Sequence, residues 1–372
     1  MNKRLIVCCD GTWNTRDHGR PTNVEKLAQA ILPTAPDGAS QVVFYDQGVG
    51  TNLGLDRWLG GAFGVGLSKN VEDAYRFLVD NYADGDEIYL FGFSRGAFTA
   101  RSTVGLIRKC DLLTKANSHR FGEAYAIYRQ SEGGADSPAA RAFRERYSKP
   151  VQVTCLGVWD TVGALGIPGH IGGTWLGRRV NRDYQFHDVK ISGKVVLAGY
   201  QALAIDEERG PFEPAIWWRE HTPAQVLEQA WFTGAHSDVG GGNLTWDEGA
   251  RHGSLADVSL RWMMEKAIAH DLAFNEEYLN ARVHPDPLGA IHPSRKGIYR
   301  FLRPFRRELL RLPSDPALQQ LIEGRRGQFP GEDPLARPPR LESPQTIDAS
   351  VLTRVEEDPS YRPANLMRHL GR

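Results

Sequence analysis

Short apolar runs alternate with segments whose apolar positions recur at helical spacing along roughly the first 270 residues. Residues 4–9 (Arg-Leu-Ile-Val-Cys-Cys) are the first run, and their continuity predicts a strand buried on both faces of a parallel sheet. Asp10-Gly11-Thr12-Trp13-Asn14 reads as the loop leaving its carboxyl end. Pro21-Thr22-Asn23-Val24-Glu25 predicts a helix start, with Thr22 as N-cap and Glu25 at the capping-box position. Further strands are expected at Val42–Tyr45, Ile88–Phe91, Val151–Val158 and, more briefly, Leu227–Thr233. Val71, Ala74, Tyr75, Leu78 and Val79 give residues 69–82 a helical period, and a second helix is expected over Ala97–Arg108. This succession predicts one doubly wound, mostly parallel α/β sheet with helices on both faces.

Two stretches depart from the pattern. Residues 50–66 are glycine-rich with Trp58, Leu59 and Phe63 interspersed, which suits a flap or a tight helix-packing segment. Beyond about residue 270 the periodicity weakens, and prolines and arginines accumulate over 282–345. Residues 1–270 are therefore expected to form the core, and 271–372 an irregular extension packed on it or forming a small cap. Within the extension, residues 297–311 mix five arginines with apolar residues. Pro304 interrupts any long amphipathic helix there, so pairing of the guanidiniums with carboxylates is the first expectation. Transient contact with a membrane surface is the second.

Charge narrows the partners. Lys+Arg and Asp+Glu number 45 each, so no global field attracts nucleic acid, and a small, locally recognised substrate is favoured. Cys8, Cys9, Cys110 and Cys155 match no zinc spacing and are expected as packed thiols in a reducing compartment. The apolar run Leu5–Cys9 is too short for a signal-peptide core, and no run approaches the ~18 apolar residues of a membrane span. A cytoplasmic location follows as the expectation, with signal-independent export as the exception. Oligomeric state is not legible.

The chemistry centres on Gly92-Phe93-Ser94-Arg95-Gly96, which follows the strand Ile88–Phe91 and precedes the helix at Ala97. A Gly-x-Ser-x-Gly between strand and helix is the nucleophile elbow of α/β-hydrolases, projecting the serine hydroxyl from a strained turn. In that fold an acid and then a histidine follow in chain order, at later strand ends. Asp160 lies just past Val151–Val158, in Val158-Trp159-Asp160-Thr161-Val162-Gly163. His236 lies in Ala235-His236-Ser237-Asp238-Val239-Gly240-Gly241-Gly242, a glycine-rich loop past an apolar run. The other histidines occupy polar, turn-like or surface settings. Asp238 is two residues from His236 and badly placed to reach the far imidazole nitrogen, so it is expected to order the loop. Ser94, Asp160 and His236 are the expected catalytic set. The oxyanion donors are expected at the amide of Arg95 and at Gly11 or Thr12. No metal or cofactor is called for.

Taken together, Cys9-Asp10-Gly11-Thr12-Trp13-Asn14, the Ser94 elbow, Gly157–Gly163 and His236–Gly242 resemble one α/β-hydrolase family. It is the family that includes the catalytic domain of type VI secretion phospholipase effectors. Asp206-Glu207-Glu208-Arg209 with Phe212 and Pro214, and Tyr361-Arg362-Pro363-Ala364-Asn365-Leu366, extend the resemblance. It implies Ser94, Asp160 and His236 as the triad, esterase or phospholipase chemistry, and small-molecule or lipid esters as substrates. No large membrane-contacting region like that of the effectors is evident, so ester hydrolysis is carried forward ahead of phospholipid preference.

Two other classes compete with this reading. A metal-dependent phosphatase of the haloacid-dehalogenase type carries Asp-x-Asp-Gly-Thr after its first strand, but here Cys8 stands at the nucleophilic Asp position. A non-catalytic scaffold on a hydrolase fold is disfavoured by the intact Ser94, Asp160 and His236.

Overall fold

The computed structural model describes residues 2–11, 21–48, 62–130, 134–162, 191–220, 224–243, 253–295, 300, 303–309 and 341–370. Among them, seven parallel strands form one sheet: β1 Lys3–Cys9, β2 Ser40–Asp46, β3 Glu87–Phe93, β4 Val153–Trp159, β5 Val196–Ala204, β6 Val226–Phe232 and β7 Gln345–Ile347. Their spatial order is β2-β1-β3-β4-β5-β6-β7.

Both faces of the sheet are covered, which is why its strands read as unbroken apolar runs. Leu5, Val7 and Cys9 point to one face, where they pack with Tyr75 and Leu78 of α2 (Ala62–Asn81) and with Ala97 and Ile107 of α3 (Arg95–Cys110). Ile6 and Cys8 point to the other. They meet Val24 and Leu27 of α1 (Asn23–Ala30), and Leu260 and Met263 of the helix Leu255–Ile268. The first of those helices starts as its sequence predicts, with the Thr22 side chain accepting from the Glu25 amide at 3.1 Å. All four cysteines are buried and unbridged.

β5 is the strand that the pattern misses. Val-Leu-Ala-Gly-Tyr-Gln-Ala-Leu-Ala mixes Gly, Gln and three alanines, a weak strand signal, yet it lies buried between β4 and β6. Close neighbours on both sides favour small side chains there: a Cβ on Gly199 would come within 2.7 Å of Ile191. The extension past residue 270 contributes β7, which pairs with β6 from Gln345↔Gln229 to Ile347↔Trp231. It also adds a third apolar cluster, in which Leu309, Val351, Val355, Tyr361 and Leu366 pack on Leu203, Ile205 and Trp231.

From β1 the chain crosses to β2 on one side and then to β3 on the other. The resulting switch point opens a crevice at the carboxyl ends of β1 and β3, where ligands bind in open α/β sheets. Asp10 follows β1, Ser94 follows β3, Asp160 follows β4, Asp206 follows β5 and His236 follows β6. This is the α/β-hydrolase arrangement. No helix among the described residues is long and apolar enough to cross a membrane.

Candidate active site

The elbow is dictated by crowding. A Cβ on Gly92 would stand 2.5 Å from the Gly96 carbonyl oxygen, and one on Gly96 would stand 2.0 Å from the carbonyl oxygen of Cys9. Glycine at both positions lets strand, turn and helix close to this separation. Ser94 takes up the remaining turn with φ 57° and ψ −118°, a costly conformation for a non-glycine residue. Asp160 also has positive φ, at 40°. The Ser94 amide donates to the Trp159 carbonyl at 3.1 Å, which ties the elbow to the end of β4.

Three side chains from separate strand ends form one hydrogen-bonded row. Ser94 Oγ lies 2.8 Å from Nε2 of His236, and Nδ1 of His236 lies 2.6 Å from Oδ2 of Asp160. All three are buried. With a carboxylate at Nδ1, the network assigns the ring proton to Nδ1 and leaves Nε2 to accept from the serine hydroxyl. The Phe93 and Phe212 rings hold the imidazole, at centroid distances of 4.6 and 4.9 Å. Burial lowers the pKa of His236 below the ordinary histidine value, against the opposing pull of Asp160.

Asp160 is held by one of the 297–311 guanidiniums expected to pair with carboxylates, although the sequence indicates neither which arginine nor which carboxylate. Nη1 of Arg307 donates to Oδ1 at 2.5 Å, and Nη2 to Oδ2 at 2.9 Å, a bidentate pair between two fully buried side chains. The Ala204 amide adds a bond to Oδ1 at 3.1 Å. Burial would raise this carboxyl, but the Arg307 charge and the His236 bond outweigh it and hold the group well below the usual carboxylate range. Arg307 is one of the five arginines of 297–311, and its neighbours in sequence do not distinguish it as the one that meets Asp160.

A second ion pair lies beside His236. Glu207 Oε2 accepts from the His236 amide at 3.3 Å, while Arg209 donates to both Glu207 oxygens at 2.8 Å. The Arg209 guanidinium covers the Phe212 ring at 3.6 Å. Asp238 caps its own short helix, His236–Gly240, by accepting from the Ala235 amide at 3.0 Å, and it also binds Nδ1 of His292 at 2.6 Å.

Of the expected oxyanion donors, Arg95 is the first residue of α3, where amides and helix dipole face the crevice. The Gly11 amide donates to Oδ1 of Asp10 at 2.6 Å. Asp10 is buried, and its Oδ2 accepts from the hydroxyls of Thr22 at 2.5 Å and Tyr45 at 2.7 Å. Thr12 lies outside the described residues.

Residues 3–266 match the family described as the type VI secretion, Tle1-like phospholipase effector catalytic domain. The chain belongs to this family. The matched span contains Ser94, Asp160 and His236 but stops short of Arg307. A Saccharomyces cerevisiae relative, the uncharacterized protein YEL023C, is 30% identical over 234 residues, or 57% of this chain. The chain spans only 32% of that relative's length. A structure of an uncharacterized Pseudomonas aeruginosa protein is similar over 77% of this chain and 49% of its own, with 17% identity and a TM-score of 0.45. The carboxylesterase Cest-2923 of Lactobacillus plantarum aligns over 74% of this chain and 88% of its own, at 16% identity and a TM-score of 0.35.

Proposed function

We propose that the protein is a serine hydrolase that cleaves carboxylic esters through an acyl-enzyme. The row Ser94 Oγ–His236–Asp160, with links of 2.8 and 2.6 Å, is the observation that carries this assignment. His236 takes the proton from Ser94 as Oγ attacks the acyl carbon. The oxyanion forms in front of the Arg95 amide at the positive end of α3, where preorganised donors stabilise developing charge. A second amide, from Gly11 or Thr12 in the loop after β1, completes the donor pair. His236 then protonates the leaving alkoxide, and the acyl group remains on Ser94. Water, deprotonated by His236, releases the acid and restores the serine.

The family description favours acyl esters of lipids as substrates. Neither metal nor cofactor takes part in the scheme. The test is a panel of p-nitrophenyl esters of rising chain length and of phospholipids, run beside labelling with a fluorophosphonate probe. Wild type is expected to react with the probe and with at least one ester class, and Ser94→Ala with neither. A folded wild-type protein inert to probe and esters would overturn the assignment.

A further inference from the structure

Arg307 comes from outside the family match, yet it contacts the acid of the proposed site more fully than His236 does. Its side chain is wholly buried, and four bonds hold it: two to Asp160, one from Nη1 to the Ala204 carbonyl at 2.8 Å, and one from Nη2 to the Phe212 carbonyl at 2.5 Å. Its segment is anchored in turn, since the Phe305 amide donates to the Glu208 carbonyl at 2.8 Å and Asn365 Nδ2 donates to the Arg307 carbonyl at 3.3 Å. One guanidinium therefore links the end of β4, the end of β5 and the loop that carries Glu207, Arg209 and Phe212.

We propose that Arg307 is a positioning residue for the reaction: it fixes the plane of the Asp160 carboxylate and cancels its charge, so that His236 rests as a neutral base. This rests on the serine-hydrolase assignment above. The groups facing His236 are Ser94 and Phe93 from β3 and its elbow, Asp160 from β4, and Glu207, Arg209 and Phe212 from the loop after β5; Arg307 stands behind Asp160. Among these described residues the charges form two buried or half-buried pairs, Asp160 with Arg307 and Glu207 with Arg209, with no net charge. A lone carboxylate buried at 2.6 Å from an imidazole would draw a proton onto it, and an imidazolium cannot accept from Ser94. With the guanidinium across both oxygens, Asp160 still accepts from Nδ1 while exerting less of that pull.

The test uses the full chain and the rate of fluorophosphonate labelling as a function of pH, which needs no knowledge of the natural ester. Arg307→Met removes the cation, and its labelling is expected to fall on the order of 10²-fold at neutral pH, with the acid limb of the profile moved to higher pH. Arg307→Lys keeps the charge but loses the fork. It is expected to label more slowly than wild type with the acid limb unmoved. A folded Arg307→Met protein with wild-type rate and profile overturns the proposal, as does a slowed one whose acid limb stays in place, because a merely structural role predicts the latter. Should Arg307→Met fail to fold, Arg307→Gln, which keeps hydrogen-bond donors without the charge, takes its place: an acid limb moved to higher pH supports the proposal, and an unmoved one counts against it. Failure of wild type itself to label bears on the serine-hydrolase assignment instead, so the two failures are distinct.

Discussion

Two aspartates end neighbouring strands of the sheet and meet opposite fates. Asp160, after β4, is fully buried against Arg307 and His236 and is held well below the usual carboxylate range. Asp206, after β5, accepts from neutral donors, the Gly234 amide at 2.7 Å and the Tyr361 hydroxyl at 2.9 Å. Burial, then the nearby Asp238, push it up to about 6 despite those bonds. Burial acts in the same direction on both. The partner decides the outcome: a bidentate guanidinium offsets desolvation, whereas two neutral hydrogen bonds do not. One strand end is thus set to stay charged beside a base, and the other to gain a proton in mild acid.

The two aspartates are expected to differ most in their effect on activity. Asp160→Asn is expected to lower kcat/KM on the order of 10⁴-fold, because the imidazole loses the acceptor that sets its tautomer. Asp206→Asn is expected to stay within a few-fold of wild type in the same assay. Equal losses would mean that the two aspartates play the same part.

Stability is the next discriminator. Arg307→Met strands a buried carboxylate and is expected to cost about 3–5 kcal/mol in urea unfolding. Replacing both partners, in Asp160→Asn with Arg307→Met, is expected to recover part of that loss, since neither charge is then left unpaired. A double variant less stable than the sum of the single losses would show that the pair is not a charge-compensating unit.

The pH dependence of stability separates the two carboxyls by sign. Asp206 has a raised native pKa, so its contribution is complete below about pH 4 and is lost as pH rises through about 6. Asp160 has a lowered native pKa, so its contribution is present above about pH 4 and is lost only in stronger acid. Asp206→Asn is therefore expected to gain on wild type between pH 4 and 7, measured as unfolding midpoints across that range. Parallel curves would mean that Asp206 is compensated as Asp160 is. The smallest effect is expected at Tyr361→Phe, about 1 kcal/mol, through loss of one hydrogen bond to Asp206.

Much of the sheet was legible because a doubly covered strand must be apolar along its whole length. Lys3–Cys9, Ser40–Asp46, Glu87–Phe93 and Val153–Trp159 lie where apolar runs predict them, within a residue or two at the ends. β5 escaped because its tight neighbours select small residues, which carry little strand preference. β7 escaped because three residues at a sheet edge make too short a run to distinguish from loop. The elbow was legible for a local reason: its two glycines answer a clash within five residues of Ser94 and with the adjacent strand. Asp206, Glu207 and Arg209 stood out in the sequence as part of a resemblance, but nothing local assigned them to the walls of a histidine pocket.

Short-range patterns in the sequence specify the class of sheet, the strained turn at Ser94 and the strand ends that carry Asp160 and His236, because each depends on residues only a few positions apart. Tertiary structure decided the charge state of the buried acid. That required Arg307, 147 positions away in the chain, to arrive on a segment whose other arginines read the same in sequence. A local pattern records which face a residue buries, but an ion pair depends on where two distant segments meet, and only the folded chain specifies that.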